Sequence, residues 1–304
     1  MKLHQIRDLL AVAEKGSLRA AARHLGLAQP SISRSIQALE KELKVPLLER
    51  HARGTVLTPS GQLFARRAGS AASELRRARE ELAQLHGSAE GSVSAGFSSV
   101  PLLALLPKAI APFSKRYPRV ELHITDGAFP AIESHLKDGS VDFYAGVSPE
   151  KRPGSGLVME KLFDNTRVVI ARHGHPMAKA RTLADLAGAR WVATSITANA
   201  QAEIGDLFRQ HRLPQPRLAA KITGGALSLI TLLSHSDLLA IVPRQWMEFP
   251  PTRGAIQQID LQEKIVAPPI VIIRRAALPL TPAAEYLCDL LRRASAQYAA
   301  SSRA

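Results

Sequence analysis

The chain of 304 residues is 46% hydrophobic and 22% charged, a balance typical of a folded globular protein that excludes an intrinsically disordered one. Its length exceeds a single hydrophobic core, so we expect two or three domains. The formal net charge of +14 favours a polyanionic partner, and residues 1–87 carry half of it, with 15 Lys and Arg against 8 Asp and Glu. The single cysteine, Cys288, excludes an intramolecular disulfide and a cysteine-rich zinc site, and we expect it to be a buried thiol.

The amino-terminal segment does not have the pattern of a targeting signal. Arg7, Asp8 and Glu14 interrupt its apolar residues, so the apolar core of a signal peptide is missing. No part of the sequence approaches the ~20 consecutive apolar residues that a membrane-spanning helix needs. We therefore expect a cytoplasmic protein without a membrane partner.

Three helices are predicted at the start of the chain. The first has apolar residues at helical spacing, and Gly16 ends it. Ser17 is a good N-cap for a second helix over Leu18–Leu25, which the turn residue Gly26 follows. Pro30 suits the first turn of a third helix. Two helices joined by a short glycine turn indicate a helix-turn-helix.

The third helix is predicted to have a buried face and a polar face. The buried stripe consists of Ile32, Ile36, Leu39 and Leu43. The polar face consists of Pro30, Ser33, Arg34, Gln37 and Lys41. Arg can pair with the edge of guanine and Gln with the edge of adenine. The start of such a helix enters the major groove, so Gln29, Pro30, Ser33 and Arg34 can reach the base edges there. A plain solvated surface is the alternative interpretation of this face.

A β-hairpin is predicted after the third helix. Short apolar runs flank a basic, glycine-containing turn between Val45 and Leu57. Arg50 and Arg53 would contact phosphate or the minor groove, which adds affinity more than sequence selectivity. The segment therefore has the pattern of a wing beside the helix-turn-helix.

The complete amino-terminal module resembles the LysR-type transcriptional regulators. The resemblance rests on residues 16–22, Leu25, 29–33, Ile36, 39–40, Leu43, 46–50 and 57–61. It implies operator recognition by Gln29, Pro30, Ser31, Ser33, Arg34, Gln37, Arg50 and Arg53. Ala28 departs from the serine usual in the family, and the missing N-cap costs about 1 kcal/mol. Lys44 stands where the family often has Gly.

A long helix over residues 58–87 is predicted to be a linker and dimerisation element. Its apolar positions recur at spacings of four and three, as in a coiled coil: Phe64, Ala68, Ala71, Leu75, Ala78, Leu82 and Leu85. Packing of this seam on the chain's own effector domain is the alternative. The family resemblance implies a linker-helix homodimer, assembled further into a homotetramer, with RNA polymerase as a further candidate partner. Residues 87–91 then form a glycine-containing hinge.

From Gly91 onward short strands alternate with helices, a pattern typical of parallel α/β units. Helices are predicted over 103–117 and 131–137, and the predicted strands are 92–97, 120–126, 141–147, 168–171, 190–193, 240–242 and 270–273. The carboxyl ends of such strands form a binding crevice. Hydroxyl residues and free amides there suit a small carboxylate, with Val100 and Phe129 as an apolar wall. Ordinary helix capping is the alternative for each Ser and Thr.

The resemblance implies that this region is a two-lobed periplasmic-binding-protein-like (type 2) fold with chain crossings near Leu162 and Ala267. The predicted ligand-binding residues are Ser98, Ser99, Val100, Ala128, Phe129, Thr194, Ser195, Thr197 and Gly225. Ala128 departs from the hydroxyl residue often found in the family. The expected architecture is α/β: a winged helix-turn-helix at 1–57, the linker at 58–87 and an effector domain at 91–304. Lobe I comprises 91–162 and 268–304, and lobe II comprises 163–267.

Enzymatic chemistry has little support in the sequence. His173 and His175 lack a third metal ligand, and Ser98-Ser99 does not lie in a Gly-x-Ser-x-Gly elbow. We expect no catalytic residue, metal or cofactor. The leading hypothesis is a transcription factor controlled by a small carboxylate or aromatic acid that binds one arrangement of the lobes better. The alternatives are an enzyme with a DNA-binding head and a constitutive architectural DNA-binding protein.

Overall fold

A computed structural model describes residues 1–51, 54–194, 200–222 and 225–301. The chain divides into two compact units. The first comprises Met1–Ser88 with His135–Ser140, and the second comprises Ala89–Ser134 with Val141–Ala304. In the described residues, no helix combines the length and apolarity needed to cross a membrane.

The first unit begins with the predicted three helices and hairpin. Its elements are α1 (Leu3–Lys15), α2 (Leu18–Leu25), α3 (Gln29–Leu43), β1 (Leu48–His51), β2 (Gly54–Leu57) and α4 (Pro59–Leu85). β1 and β2 pair antiparallel, with Leu48 opposite Leu57 and His51 opposite Gly54. The predicted winged helix-turn-helix and the helix that follows it are therefore confirmed as structural elements.

Local sequence signals account for the helix ends of this unit. Ser17 Oγ accepts a hydrogen bond from the Ala20 amide at 3.1 Å, which is the expected N-cap of α2. Gly16 and Gly26 end α1 and α2 in the left-handed conformation. Ala28 provides no side-chain cap for α3, as predicted. Lys44 takes the left-handed conformation at the end of α3, with φ 57°, where glycine would be unstrained.

The start of α4 is held against the segment that precedes the wing. Thr58 Oγ1 caps the helix by accepting from the Gly61 amide at 2.9 Å and donates to the Pro46 carbonyl at 2.7 Å. The Thr58 amide also donates to the Leu47 carbonyl at 3.0 Å. Gly61 is buried here, and a Cβ on it would lie 2.0 Å from the Leu47 oxygen. This close approach explains why the turn needs glycine.

The second unit is a mixed α/β structure. Its strands are β3 (Glu90–Phe97), β4 (Arg119–Asp126), β5 (Phe143–Val147), β6 (Leu157–Arg172), β7 (Arg190–Thr194), β8 (Arg217–Ile222), β9 (Leu238–Pro243), β10 (Ile256–Ile259) and β11 (Ile265–Arg275). Its helices are α5 (Ser99–Ala104), α6 (Leu106–Arg116), α7 (Phe129–Asp138), α8 (Ala200–Gln210), α9 (Ala226–Ser234) and α10 (Pro282–Ser301). The strands form one sheet in the order β4-β3-β5-β11-β6-β9-β7-β8, and β10 pairs with β6.

Two features of this unit differ from the sequence prediction. The helix predicted over 103–117 is two helices, divided at Leu105, because Pro107 cannot donate the hydrogen bond that a continuous helix requires. The sheet is also not wholly parallel. Strands β6 and β11 run antiparallel to each other, β11 is antiparallel to β5, and β6 is antiparallel to β9. The short predicted strands at 168–171 and 270–273 are parts of these two long crossing strands.

The second unit has separate hydrophobic cores, as a two-lobed fold requires. One core joins β3, β5 and the helices α5, α6 and α10, and it contains Phe97, Phe113 and Phe143. Two further cores cover opposite faces of β7 and β9, around Trp191 and around Trp246. The long strands β6 and β11 run from the first core to the others. The predicted lobe boundaries near Leu162 and Ala267 stay a prediction.

Candidate DNA interface and effector site

Helix α3 separates its apolar and polar residues onto different faces. Ile32, Ile36 and Leu39 are buried in the core of the first unit, while Leu43 is half-buried. The exposed residues on α3 include Gln29, Pro30, Ser31, Arg34 and Gln37, and Ser33 is half-buried. The amphipathic face predicted from the sequence is thus present. Recognition of DNA bases by these residues stays a prediction.

Glu40 supports the wing from inside α3, a role that the sequence prediction missed. Its Oε1 accepts hydrogen bonds from the Leu47 amide at 2.7 Å and the Leu48 amide at 3.0 Å. These two bonds fix the start of β1 relative to α3. Arg53 and the side chain of Arg50 lie outside the described residues. The predicted contacts of these two arginines with DNA therefore stay predictions.

The apolar seam predicted on α4 divides into two parts. Phe64 is half-buried against the core of the helix-turn-helix, and Ala68 is buried. Farther along the helix Leu75, Leu82 and Leu85 are exposed by 48%, 60% and 68%. Only the second part of the seam is therefore available to a partner in this structure.

In predicted lobe I, several of the predicted ligand-binding residues lie at the ends of β3 and β4. Ser98 is 7% exposed, and its Oγ accepts from the Val147 amide at 3.3 Å. Val100 and Phe129 are buried, whereas Ser99 and Ala128 are half-buried. In this structure Val100 and Phe129 pack beneath the strand ends instead of forming an open wall. Their contact with a ligand stays a prediction.

Tyr144 lies beneath the same strand ends and was not predicted. Its ring packs against Phe129 with the ring centres 5.6 Å apart, and its hydroxyl donates to the Val147 carbonyl at 3.4 Å. Burial raises the pKa of Tyr144 far above its usual range, so the phenol stays protonated. A Cβ on Gly146 would lie 2.1 Å from this hydroxyl, so the glycine makes room for the side chain. The pair Tyr144 and Gly146, two residues apart on β5, is the signal that could have revealed it.

In predicted lobe II, only some of the predicted ligand-binding residues are among the described residues. Thr194 ends β7 half-buried, and its Oγ1 donates to the Ile241 carbonyl at 3.4 Å. Gly225 is exposed at the start of α9. Ser195 and Thr197 lie outside the described residues. The convergence of these residues with Ser98 and Ser99 on one ligand stays a prediction.

The histidine pair does not belong to a metal site in the described part of the chain. No group of three or more His, Cys, Asp or Glu suited to a metal occurs among the described residues. His175 is 5% exposed, and its Nδ1 accepts from the Met177 amide at 3.0 Å. This hydrogen bond gives Nδ1 a structural role, whereas Nε2 is buried and has no hydrogen-bond partner among the described residues.

A winged helix-turn-helix followed by a long helix and a two-lobed α/β domain defines a class of DNA-binding regulators with a sensor domain. Two family profiles match accordingly. "Bacterial regulatory helix-turn-helix protein, lysR family" matches residues 3–62, and "LysR substrate binding domain" matches residues 86–296. The chain belongs to the LysR family of DNA-binding transcriptional regulators and is not an enzyme.

Curated relatives match along almost the entire chain. The HTH-type transcriptional regulator GbpR of Azospirillum brasilense is 27% identical over 299 residues, which cover 97% of this chain and 87% of the relative. The SDS degradation transcriptional activation protein of a Pseudomonas species is 28% identical over 295 residues, or 95% of each chain. The HTH-type transcriptional regulator GalR of Pseudomonas putida is 28% identical over 291 residues, covering 95% of this chain and 73% of the relative.

Solved structures share the fold. Full-length CbnR, crystallised with its target DNA, has a TM-score of 0.73 at 23% identity and covers 97% of this chain and 100% of its own. A full-length OxyR variant from Pseudomonas aeruginosa has a TM-score of 0.71 at 19% identity, with coverage of 96% and 95%. These similarities establish the architecture.

Proposed function

We propose that the protein is an operator-binding regulator whose activity a small carboxylate or aromatic acid controls. The exposed polar face of α3, opposite the buried Ile32 and Ile36, is the observation that carries this proposal. A helix held in this way can present Arg34 to guanine in the major groove. The partner is double-stranded operator DNA, which would place the protein in the cytoplasm.

Replacement of Arg34 by Ala tests the base-reading role. DNA selected from a random library by the native protein serves as the operator, and affinities for operator and random DNA are compared at one salt concentration. Loss of one such contact lowers discrimination by about 1–3 kcal/mol. Lys41→Ala, farther along the same face, is the control and leaves discrimination nearly unchanged. An unaltered affinity ratio for Arg34→Ala contradicts the proposal.

The exposed part of α4 supports a homodimer, and the family resemblance extends this to a homotetramer. Exposed leucines at heptad spacing need an apolar partner, and a second copy of α4 offers the same surface. Leu82→Gln combined with Leu85→Gln should reduce the mass measured by light scattering. Ala83→Gln, exposed but off the seam, should not. An unchanged mass for the double variant contradicts pairing through this helix. RNA polymerase is a further candidate partner.

The effector is proposed to bind at the strand ends that carry Ser98, Ser99 and Thr194. Thermal unfolding in the presence of aromatic and hydroxy acids tests this, because a ligand that binds only the folded state raises the midpoint. A rise with at least one acid, abolished by Ser99→Val, supports the proposal. If no acid raises the midpoint, a constitutive architectural DNA-binding protein becomes the better interpretation.

A further inference from the structure

Helix α2 lies in a stretch of the chain that has no acidic residue. Residues 15–39 contain four Lys and Arg but no Asp or Glu. Two of these cations, Arg19 and Arg23, lie about one helical turn apart on α2, and both are exposed. Neither belongs to the set of DNA-binding residues predicted from sequence. They form a basic surface of α2 that the sequence prediction missed.

No neighbouring carboxylate neutralises this surface. Arg19 and Arg23 make no ion pair and no side-chain hydrogen bond with another described residue. By contrast, Arg7 on α1 pairs with Asp8 at 2.8 Å. An exposed guanidinium has five N–H donors in a planar fork, and this fork matches the geometry of a phosphate group. The surface is therefore suited to an anion that carries phosphate.

The packing of α2 shows where its basic side lies. His24 and Leu25 line a groove whose other walls are residues of α1 and α4. An α-helix turns by about 100° per residue, so Arg19 and Arg23 lie on the side of α2 opposite this groove. Neither α1 nor α4 therefore covers the basic side of α2.

The start of α2 is also bonded to the wing. The Gly16 carbonyl accepts a hydrogen bond from the Thr55 amide on β2 at 3.4 Å. Ser17 then caps the first turn of α2, which carries Arg19. In helix-turn-helix proteins the first helix of the pair crosses the DNA backbone, while the second enters the major groove. Arg19 thus lies beside an element that is itself predicted to meet the backbone.

We infer that Arg19 and Arg23 bind phosphates of the operator backbone, next to the groove that α3 enters. Four residues of α-helix rise about 6 Å. One DNA strand carries a phosphate every ~3.4 Å of duplex axis, so both arginines can contact the same strand. The inference rests on the proposed function and adds residues that supply affinity and orientation without sequence information.

The salt dependence of DNA binding tests this contact. The full-length protein is titrated with the selected operator and with random duplex DNA between about 50 and 200 mM salt. Each phosphate contact contributes about 0.9 to the slope of log affinity against log salt. Arg19→Gln and Arg23→Gln should each lower this slope by about 0.9 for every protomer bound. At about 0.1 M salt, each should weaken binding about eightfold per protomer.

The two kinds of DNA separate phosphate contact from base reading. Every sequence has the same backbone, so both variants should lose the same factor on operator and on random DNA. A loss confined to the operator overturns the inference. The outcome for Arg34 is independent of this one. If Arg34→Ala keeps the native affinity ratio while the slopes of the α2 variants fall, base reading by Arg34 fails and the phosphate contacts stand.

Matched variants control for charge and folding. Arg19→Lys and Arg23→Lys keep the charge and should keep the native slope. Arg209→Gln removes one exposed charge from the second unit and should also keep it. The changed residues are exposed and Gln and Lys are good helix formers, so the fold should persist, which circular dichroism verifies. A native slope in the double variant Arg19→Gln, Arg23→Gln overturns the inference, and so does an equal fall in Arg209→Gln.

Discussion

The close approach of Gly61 to Leu47 predicts that one added methyl group at position 61 strongly lowers the unfolding free energy of the first unit. An alanine Cβ at position 61 would lie 2.0 Å from the Leu47 oxygen and 2.9 Å from its carbonyl carbon. Ordinary contact begins at 3.4 Å, and the obstructing atoms are backbone, so no side chain can rotate away. The start of α4 must therefore move by more than an ångström from the segment before the wing.

The cost of Gly61→Ala follows from that movement. Overpacking of this kind costs about 1–3 kcal/mol. The displacement also weakens the Thr58 amide bond to Leu47 and the Thr58 hydroxyl bond to Pro46, each a contribution of about 1 kcal/mol. Alanine gains about 1 kcal/mol over glycine as a helix former. The first unit should therefore lose about 3 kcal/mol of unfolding free energy.

Gly69→Ala in the same helix is the matched control. A Cβ there meets Leu10 at 3.7 Å, an ordinary contact, so the variant keeps the gain in helix propensity without the clash. Urea unfolding is followed by far-UV circular dichroism, and Trp191 and Trp246 fluorescence identifies the second unit, which holds both tryptophans. If Gly61→Ala unfolds at the same urea concentration as Gly69→Ala, or a higher one, the steric argument is wrong.

Three further outcomes are expected. Glu40→Ala removes the acceptor of the Leu47 and Leu48 amides and should lower the unfolding free energy of the first unit by about 2 kcal/mol in the same urea titration. The control Lys41→Ala should change this free energy by less than about 0.5 kcal/mol. Equal effects of the two changes would show that Glu40 does not support the wing. Ala28→Ser should supply the missing cap of α3 and stabilise the unit by about 0.5–1 kcal/mol, and no gain would mean that another group already serves those amides. Burial raises the pKa of the Cys288 thiol well above its usual range, so the reactive thiolate stays scarce at pH 8 and still at pH 9. Labelling by a thiol reagent should then follow unfolding of the second unit, and rapid labelling of the native protein at pH 8 would contradict this burial.

Short-range signals explain why so much of the first unit could be predicted. The stripe of Ile32, Ile36 and Leu39 has the helical period, so it specifies the buried face of α3 without knowledge of what covers it. Ser17 and Gly26 act through hydrogen bonds and dihedral angles within a few residues of themselves. Each of these predictions depends on residues within one or two helical turns.

The differences from the sequence prediction arise where distant segments meet. The sequence predicts only short pieces of β6 and β11 because their middle residues pair with each other across the chain crossing, and neither strand shows this in its own pattern. Strand β8 escapes prediction because the consecutive Ala219 and Ala220 interrupt the alternation of apolar and polar residues in its sequence, although exposed and half-buried residues alternate strictly along the strand in the structure. The roles of Tyr144 and Glu40 also escape prediction, because tertiary structure fixes their partners.

Helix α4 shows how one sequence pattern can serve two different surfaces. Its heptad spacing is continuous from Phe64 to Leu85, and a coiled coil would use every position in the same way. In the structure the first positions pack on the DNA-binding head, and the last three leucines stay exposed. The pattern indicates only that each position needs an apolar neighbour. Which residues provide that neighbour depends on how the helix-turn-helix packs against the start of α4 at Gly61. A change at that glycine should therefore disturb the head directly and the exposed seam only through it.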